Sequence, residues 1–190
     1  MNRMVTRNLH KAMVVVAGKE VVHSAPLFGT GSAIRTYSGL YIDVFDPQPH
    51  QICIEDIAHG LAMRCRFGGH TKSFHTVAEH CVFIADMVPQ HLKLQALLHD
   101  ASEAYIGDMP TPIKRAMPDY LKVEATLMEA IGRKFGFDPY RIDPMVKALD
   151  KSSLEFEWEH KVLDDTVQSL TIDRVKALFL QRYHEITKHD

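Results

Sequence analysis

Cysteine is scarce in this chain. The three present among 190 residues, Cys53, Cys65 and Cys81, are odd in number and show no C-x-x-C spacing, which excludes a disulfide framework and argues against a thiolate zinc site. Long apolar runs are lacking too. The longest, Ala12 to Ala17, falls far short of the roughly 20 residues that span a bilayer, and it lacks the apolar core of a secretory signal. Neither sign of charge dominates: 22 Lys plus Arg face 24 Asp plus Glu, a net charge of -2, so no basic field exists to hold long nucleic acid or an anionic membrane. Internal repeats, low-complexity tracts and linkers are absent as well. These absences point to a cytoplasmic protein in a reducing compartment, without membrane or nucleic-acid partners. Its 46% hydrophobic and 24% charged residues suit one compact fold that buries roughly 70% of its unfolded surface. Histidine is what the chain has in plenty, with 12 residues, and histidine is both a common metal ligand and the side chain that titrates near neutral pH.

Periodicity divides the chain into an extended beginning, residues 1–50, packed on a helical remainder, residues 51–190. The β-branched runs of Met13 to Val22 flank Ala17-Gly18-Lys19 and suit a small hairpin. Thr36 to Asp46 alternates loosely and stops at Pro47-Gln48-Pro49, as an extended strap would. Beyond it, Ile54, Ile57, Ala58, Leu61, Ala62 and Cys65 form one helical stripe ending before Gly68-Gly69. Thr76 and Glu79 offer a capping box for a second helix that reaches Pro89. A third is expected from about His91 to Tyr105, closed by Gly107. A Pro-rich loop, Asp108 to Lys114, follows it. Further helices are expected over Tyr120 to Phe135, from Asp143-Pro144 to about Val162, and over Thr171 to Thr187. The class is therefore mainly all-α, with a short extended or hairpin N-terminal segment.

Polar residues interrupt these helices where apolar ones are expected. His80 lies in the second helix, His99 and Asp100 follow the apolar run Q-A-L-L in the third, and Asp150 lies in the helix after Asp143-Pro144. An unpaired carboxylate beside a core costs several kcal/mol unless a cation or hydrogen bonds meet it, and a divalent metal would meet it. Two imidazoles and two carboxylates suit manganese, iron, cobalt or zinc better than calcium. Each residue also has an ordinary reading: His80 as a hydrogen-bonded core residue, Asp100 as a partner of Lys93, Asp150 as a partner of Lys147 or Lys151. Glu103 lies one helical turn beyond His99 and Asp100 on the same side, while Asp108 and Lys114 bring charge to the loop that follows. Glu79 is accounted for by its capping box.

The stretches T-V-A-E-H (Thr76 to His80), L-L-H-D-A-S-E-A-Y-I-G-D-M-P-T-P-I-K (Leu97 to Lys114) and V-K-A-L-D (Val146 to Asp150) resemble the HD-domain metal-dependent phosphohydrolases. They are most similar to bacterial 5′-deoxynucleotidases and phage-type HD phosphohydrolases, over about Ile52 to Val162. The resemblance implies an HD-domain helical bundle in which His80, His99, Asp100 and Asp150 bind one divalent transition metal. Glu103 and Asp108 would then serve catalysis and substrate positioning, and Lys114 would touch phosphate. R-C-R-F-G-G-H, from Arg64 to His70, resembles the family's substrate-side segment, which assigns Arg66 to phosphate and Phe67 to base or sugar. The family's deoxynucleotidases carry Trp at the position of Phe67, one residue further from the ligand His, so base preference does not carry over. His59, His70 and His75 flank this region and suit phosphate contact and structural hydrogen bonding equally.

The expected activity is hydrolysis of a nucleotide phosphate ester, foremost a deoxynucleoside 5′-monophosphate, with a homodimer implied by the resemblance. A dNTP triphosphohydrolase would use the same ligands. A non-catalytic nucleotide or metal sensor would keep the ligands yet have no use for both Glu103 and Asp108, and a helical adaptor with a chance His-Asp pair would bind no metal.

Overall fold

The computed structural model describes the backbone of residues 12–16 and 19–23 and the whole of residues 33–188. Strand β1 (Ala12–Val16) pairs antiparallel with β2 (Lys19–His23), Val14 facing Val21, as the two β-branched runs lead one to expect; the turn residues 17–18 lie outside the described residues. The expected strap folds into a second antiparallel pair, β3 (Ala33–Arg35) with β4 (Tyr41–Asp43). Ile42 of β4 is fully buried. The turn between these strands is pinned to the helical body, because Ser38 donates from both its backbone N–H and its hydroxyl to Asp56, at 2.6 and 2.8 Å, and Tyr37 stacks on His59 with centroids 3.9 Å apart.

Helix α1 (Ile54–Ala62) buries the stripe Ile54, Ile57, Ala58, Leu61 and Ala62. Cys65 falls just beyond it, paired in an isolated bridge with Thr76. Helix α2 (Val77–Met87) opens on the capping box: Glu79 N–H donates to Thr76 Oγ1 at 3.1 Å and Thr76 N–H donates to Glu79 Oε2 at 3.0 Å. Two such orphan donors satisfied reciprocally fix where the helix begins.

The third helix does not run unbroken as its apolar spacing suggests. It divides into α3 (Lys93–Leu98) and α4 (Glu103–Ile106), joined by i→i+3 bonds from Ala101 to Leu98, Glu103 to Asp100, Ala104 to Ala101 and Tyr105 to Ser102. Tightening of this kind eclipses residues three apart, so Asp100 and Glu103 share one edge. The Pro-rich loop contains one helical turn, α5 (Thr111–Lys114). Helix α6 (Pro118–Phe135) ends on left-handed Gly136. Asp143 caps α7 (Pro144–Glu157), accepting from Met145 N–H at 2.8 Å. The expected continuation to Val162 is a wider π-helical turn, Trp158–Leu163, and α8 (Ile172–Thr187) closes the described chain.

The core lies between α1, α2, α3 and α8, with Leu127, Ala130 and Ile131 of α6, Val146 of α7, and Val175 and Phe179 of α8. Gly60 sets the approach of α1 to α4: a methyl group there would stand 2.7 Å from the Ala104 carbonyl oxygen and 2.9 Å from its Cα. Among the described residues no helix is long and apolar enough to cross a membrane.

Candidate active site

The tightened turn after α3, together with α2 and α7, brings His80, His99, Asp100 and Asp150 to one place. His80 Nε2 lies 3.2 Å from His99 Nε2, 3.1 Å from Asp150 Oδ1 and 3.7 Å from Asp100 Oδ2. His99 Nε2 lies 3.3 Å from Asp100 Oδ2 and 3.8 Å from Asp150 Oδ1. The tautomers follow from the outer nitrogens. His99 Nδ1–H donates to the Ala96 carbonyl at 2.7 Å, and His80 Nδ1–H donates to Glu157 Oε1 at 3.0 Å. Both Nε2 lone pairs therefore point inward, towards each other and towards two carboxylates. Four donors so arranged repel unless a cation stands among them.

Burial opposes charge on His99, yet Asp100 and Asp150 beside it hold its pKa well above the ordinary histidine value. Burial would likewise raise the two carboxyls, but His99 beside Asp100, and His80 and His99 beside Asp150, hold them well below the usual range. The imidazole side chains are 0% and 8% exposed, those of Asp100 and Asp150 25% and 48%, so the cluster opens to water on its carboxylate side. The donor set fits a divalent transition metal.

Glu157 ties this cluster together, and nothing in the sequence distinguished it from any other helical glutamate. Its Oε1 accepts from His80 and, at 3.2 Å, from His75 Nε2. Its Oε2 accepts from Arg66 Nε at 2.9 Å and from Nη2 at 2.8 Å. His75 Nδ1 meets Glu79 Oε2 at 3.2 Å, and Glu79 Oε1 accepts from Leu170 N–H at 2.6 Å. Glu79 thus does more than complete its capping box. Burial disfavours charge on Glu157, but hydrogen bonds from His75 and His80 and the charge of Arg66 hold its carboxyl well below the usual range.

Arg66 is buried, and its Nε edge is committed to Glu157 instead of standing free for a phosphate. Its Nη1 still reaches within 3.9 Å of Asp100 Oδ2, at the edge of the cluster. Lys114 is also engaged. It donates to Glu124 Oε1 at 2.7 Å and to Glu103 Oε1 at 3.4 Å, so it braces Glu103. Glu103 Oε2 is buried with no protein partner. Burial, then the charges of Asp100 and Asp108, push the Glu103 carboxyl up to about 9. Burial chiefly, with Asp100, raises Asp108 as well.

Phe67 follows Arg66 at a positive φ of 54°, and Gly68 and Gly69 continue in the same region. For a bulky residue such a backbone costs roughly 1–3 kcal/mol and is found mainly where function holds it. His70 is exposed, and His59 lies at the Tyr37 stack, so neither joins the cluster as His75 does. The Cys81 sulfur stands within 4.8 Å of the ligating atoms of His99 and Asp100. All three cysteines are free.

The family model for 5′-deoxynucleotidase YfbR-like proteins matches residues 69–134. The uncharacterized protein YfdR of Escherichia coli strain K12 is 40% identical over 134 residues, 70% of this chain and 75% of its own length. The chain belongs to the YfbR-like HD-domain family. A Rhodobacter capsulatus protein is 38% identical over 138 residues, covering 66% of this chain and 70% of its own. The 5′-deoxynucleotidase of Vibrio atlanticus is 29% identical over 103 residues, 49% of this chain and 46% of its own length. The YfbR-like match is narrower than the stretch from Ile52 to Val162 over which the motifs were read. It contains His80, His99, Asp100, Glu103, Asp108 and Lys114, whereas Arg66 and Phe67 precede it and Asp150 and Glu157 follow it.

Proposed function

We propose that this YfbR-like chain is a metal-dependent phosphohydrolase of nucleotides, and that its substrate is a deoxynucleoside 5′-monophosphate, cleaved to deoxynucleoside and phosphate. The convergence of four inward-facing donors from His80, His99, Asp100 and Asp150 carries the reading. These residues would hold one divalent ion: cobalt, manganese, zinc or iron. Such an ion makes hydroxide available near neutral pH and polarises a phosphoryl oxygen. Burial, with Asp100 and Asp108 nearby, favours the protonated form of the Glu103 carboxyl. Braced at Oε1 by Lys114, Glu103 would supply the proton that the leaving 5′-oxygen takes up as the phosphorus–oxygen bond breaks. Arg66 Nη1 offers positive charge to the phosphate, held in place by Glu157. Asp108, on the loop after Gly107, would help to position the substrate. The 5′-deoxynucleotidases among the relatives support the substrate class.

The test is a screen of metal-reconstituted protein against mono- and triphosphates of each nucleoside, with released orthophosphate and tripolyphosphate measured separately. Orthophosphate from deoxynucleoside monophosphates is expected. Tripolyphosphate from dNTPs would replace the reading with a triphosphohydrolase, and turnover of neither would overturn it in favour of a binding role.

A further inference from the structure

Trp158 is the only tryptophan of the chain, and it is half exposed. It opens the π-helical turn directly after Glu157, the residue that orients His80 and holds Arg66. Local widening of a helix in this way recurs at functional sites. Facing it is Phe67, the residue directly after Arg66, with ring centroids 6.2 Å apart and planes tilted by 56°. Arg66 Cζ lies 5.6 Å from the Phe67 centroid. The two rings are therefore each one residue removed along the chain from the two side chains that meet beside the metal-ligand cluster. The turn carrying Phe67 also borders the loop after Asp108, since a methyl group on Gly68 would sit 3.7 Å from Pro110 Cγ. The backbone holds Phe67 at positive φ, followed by two left-handed glycines.

We propose that Trp158 extends the face that the family resemblance assigns to Phe67, so that the base of a nucleoside 5′-monophosphate stacks against the pair and Trp158 is a specificity-determining residue of the site. The inference rests on the nucleotide reading of that site. A nucleoside monophosphate carries its anionic and its flat apolar ends one sugar apart, and here the aromatic pair adjoins, through Arg66 and Glu157, the cluster that would hold the metal. Indole and phenyl faces accept any base by stacking, so the pair selects for a base over none. Trp158 lies outside the 69–134 span of the YfbR-like match.

The lone tryptophan makes the test direct. Full-length protein is titrated with deoxynucleoside 5′-monophosphates, with 2-deoxyribose 5-phosphate and with inorganic phosphate, while tryptophan emission is followed under excitation where nucleotides do not absorb. Saturable quenching by the nucleotides, and none by the two base-free phosphates, is expected. In kinetics, Trp158→Leu should raise KM for the nucleotide by about 5- to 150-fold with kcat far less affected, at parental metal content, and Trp158→Phe should recover most of the loss. Equal quenching by base-free phosphate, or none by any nucleotide that the enzyme hydrolyses, overturns the proposal. So does emission that changes with protein concentration and not with nucleotide, which would make the pair a contact between copies of the chain. Absence of hydrolysis with base-dependent quenching intact would sink the phosphohydrolase reading and leave the stacking face standing.

Discussion

At Glu103 a carboxyl group is held almost out of water, with Oε2 unbonded and Oε1 only loosely met by Lys114. Its pKa in the fold, about 9, lies above that of the unfolded chain, so its contribution to stability is fully present below the unfolded value. That contribution fades as pH rises towards the folded one. Glu103→Gln removes this dependence. Compared by thermal melts from pH 5 to pH 9 after chelator treatment, the variant should gain on the parent steadily with pH while losing roughly 100- to 10,000-fold in kcat. A constant gap between the two melting curves would mean that Glu103 is ionised throughout. Glu157 acts differently, since it fixes the tautomer of His80 and neutralises Arg66. Partners that orient a ligating histidine are typically worth about 10- to 100-fold in metal affinity. Glu157→Gln, which keeps the shape and loses the charge, should weaken metal binding by that factor in a competition titration against a chromophoric chelator. Parental affinity would remove Glu157 from this role. His80 was legible in the sequence because a motif surrounds it, whereas Glu157 was not: its significance lies in contacts with His80 and Arg66, 77 and 91 residues away, which no local pattern records.

Elements were readable where their ends carry side-chain chemistry of their own. Thr76 and Glu79 start α2, and Asp143-Pro144 starts α7, through bonds local enough to appear as spacing. The break between α3 and α4 leaves no such mark, because L-L-H-D-A-S-E-A keeps helical apolar spacing while the backbone tightens to i→i+3 bonding. The strap became a β-pair for a related reason: its register is set by Ile42 entering the core and Ser38 reaching Asp56, both contacts at a distance. Gly60 shows how closely α4 is located. Replacing a mid-helix glycine by alanine ordinarily gains about 1 kcal/mol. Here the added methyl would come within 3.0 Å of Ala104 backbone and Cβ, and overpacking of that sort costs roughly 1–3 kcal/mol, so the clash outweighs the propensity gain. Gly60→Ala should lower the melting temperature and, by displacing the helix that carries Glu103, reduce kcat with little change in metal content. A melting temperature at or above the parental one would show that α4 has room to move.

Across the whole molecule, the metal-ligand cluster joins segments that the chain keeps far apart: His80 on α2, His99 and Asp100 in the turn between α3 and α4, and Asp150 on α7. An ion held by all four would tie α7 to the α2–α3 core. The connection matters because α7 contributes little apolar burial of its own, with Val146 its one residue in the buried hydrophobic cluster. Binding to the folded chain alone stabilises it by about 2.7 kcal/mol at a free ion concentration 100 times Kd. For a domain of this size each kcal/mol moves the melting temperature by about 2–4 °C, so removing the ion should lower it by roughly 5 to 11 °C. The comparison is a melt of metal-loaded protein with and without excess chelator, repeated for Asp150→Ala. Asp150 pairs with His80 and His99, so the variant's chelator-treated melt should lie below that of the chelator-treated parent. Its metal-loaded melt should fall close to its own chelator-treated one. If Asp150→Ala keeps the full response to chelator, the ion is held without α7, and His80, His99 and Asp100, with Cys81 close behind them, would have to supply the coordination.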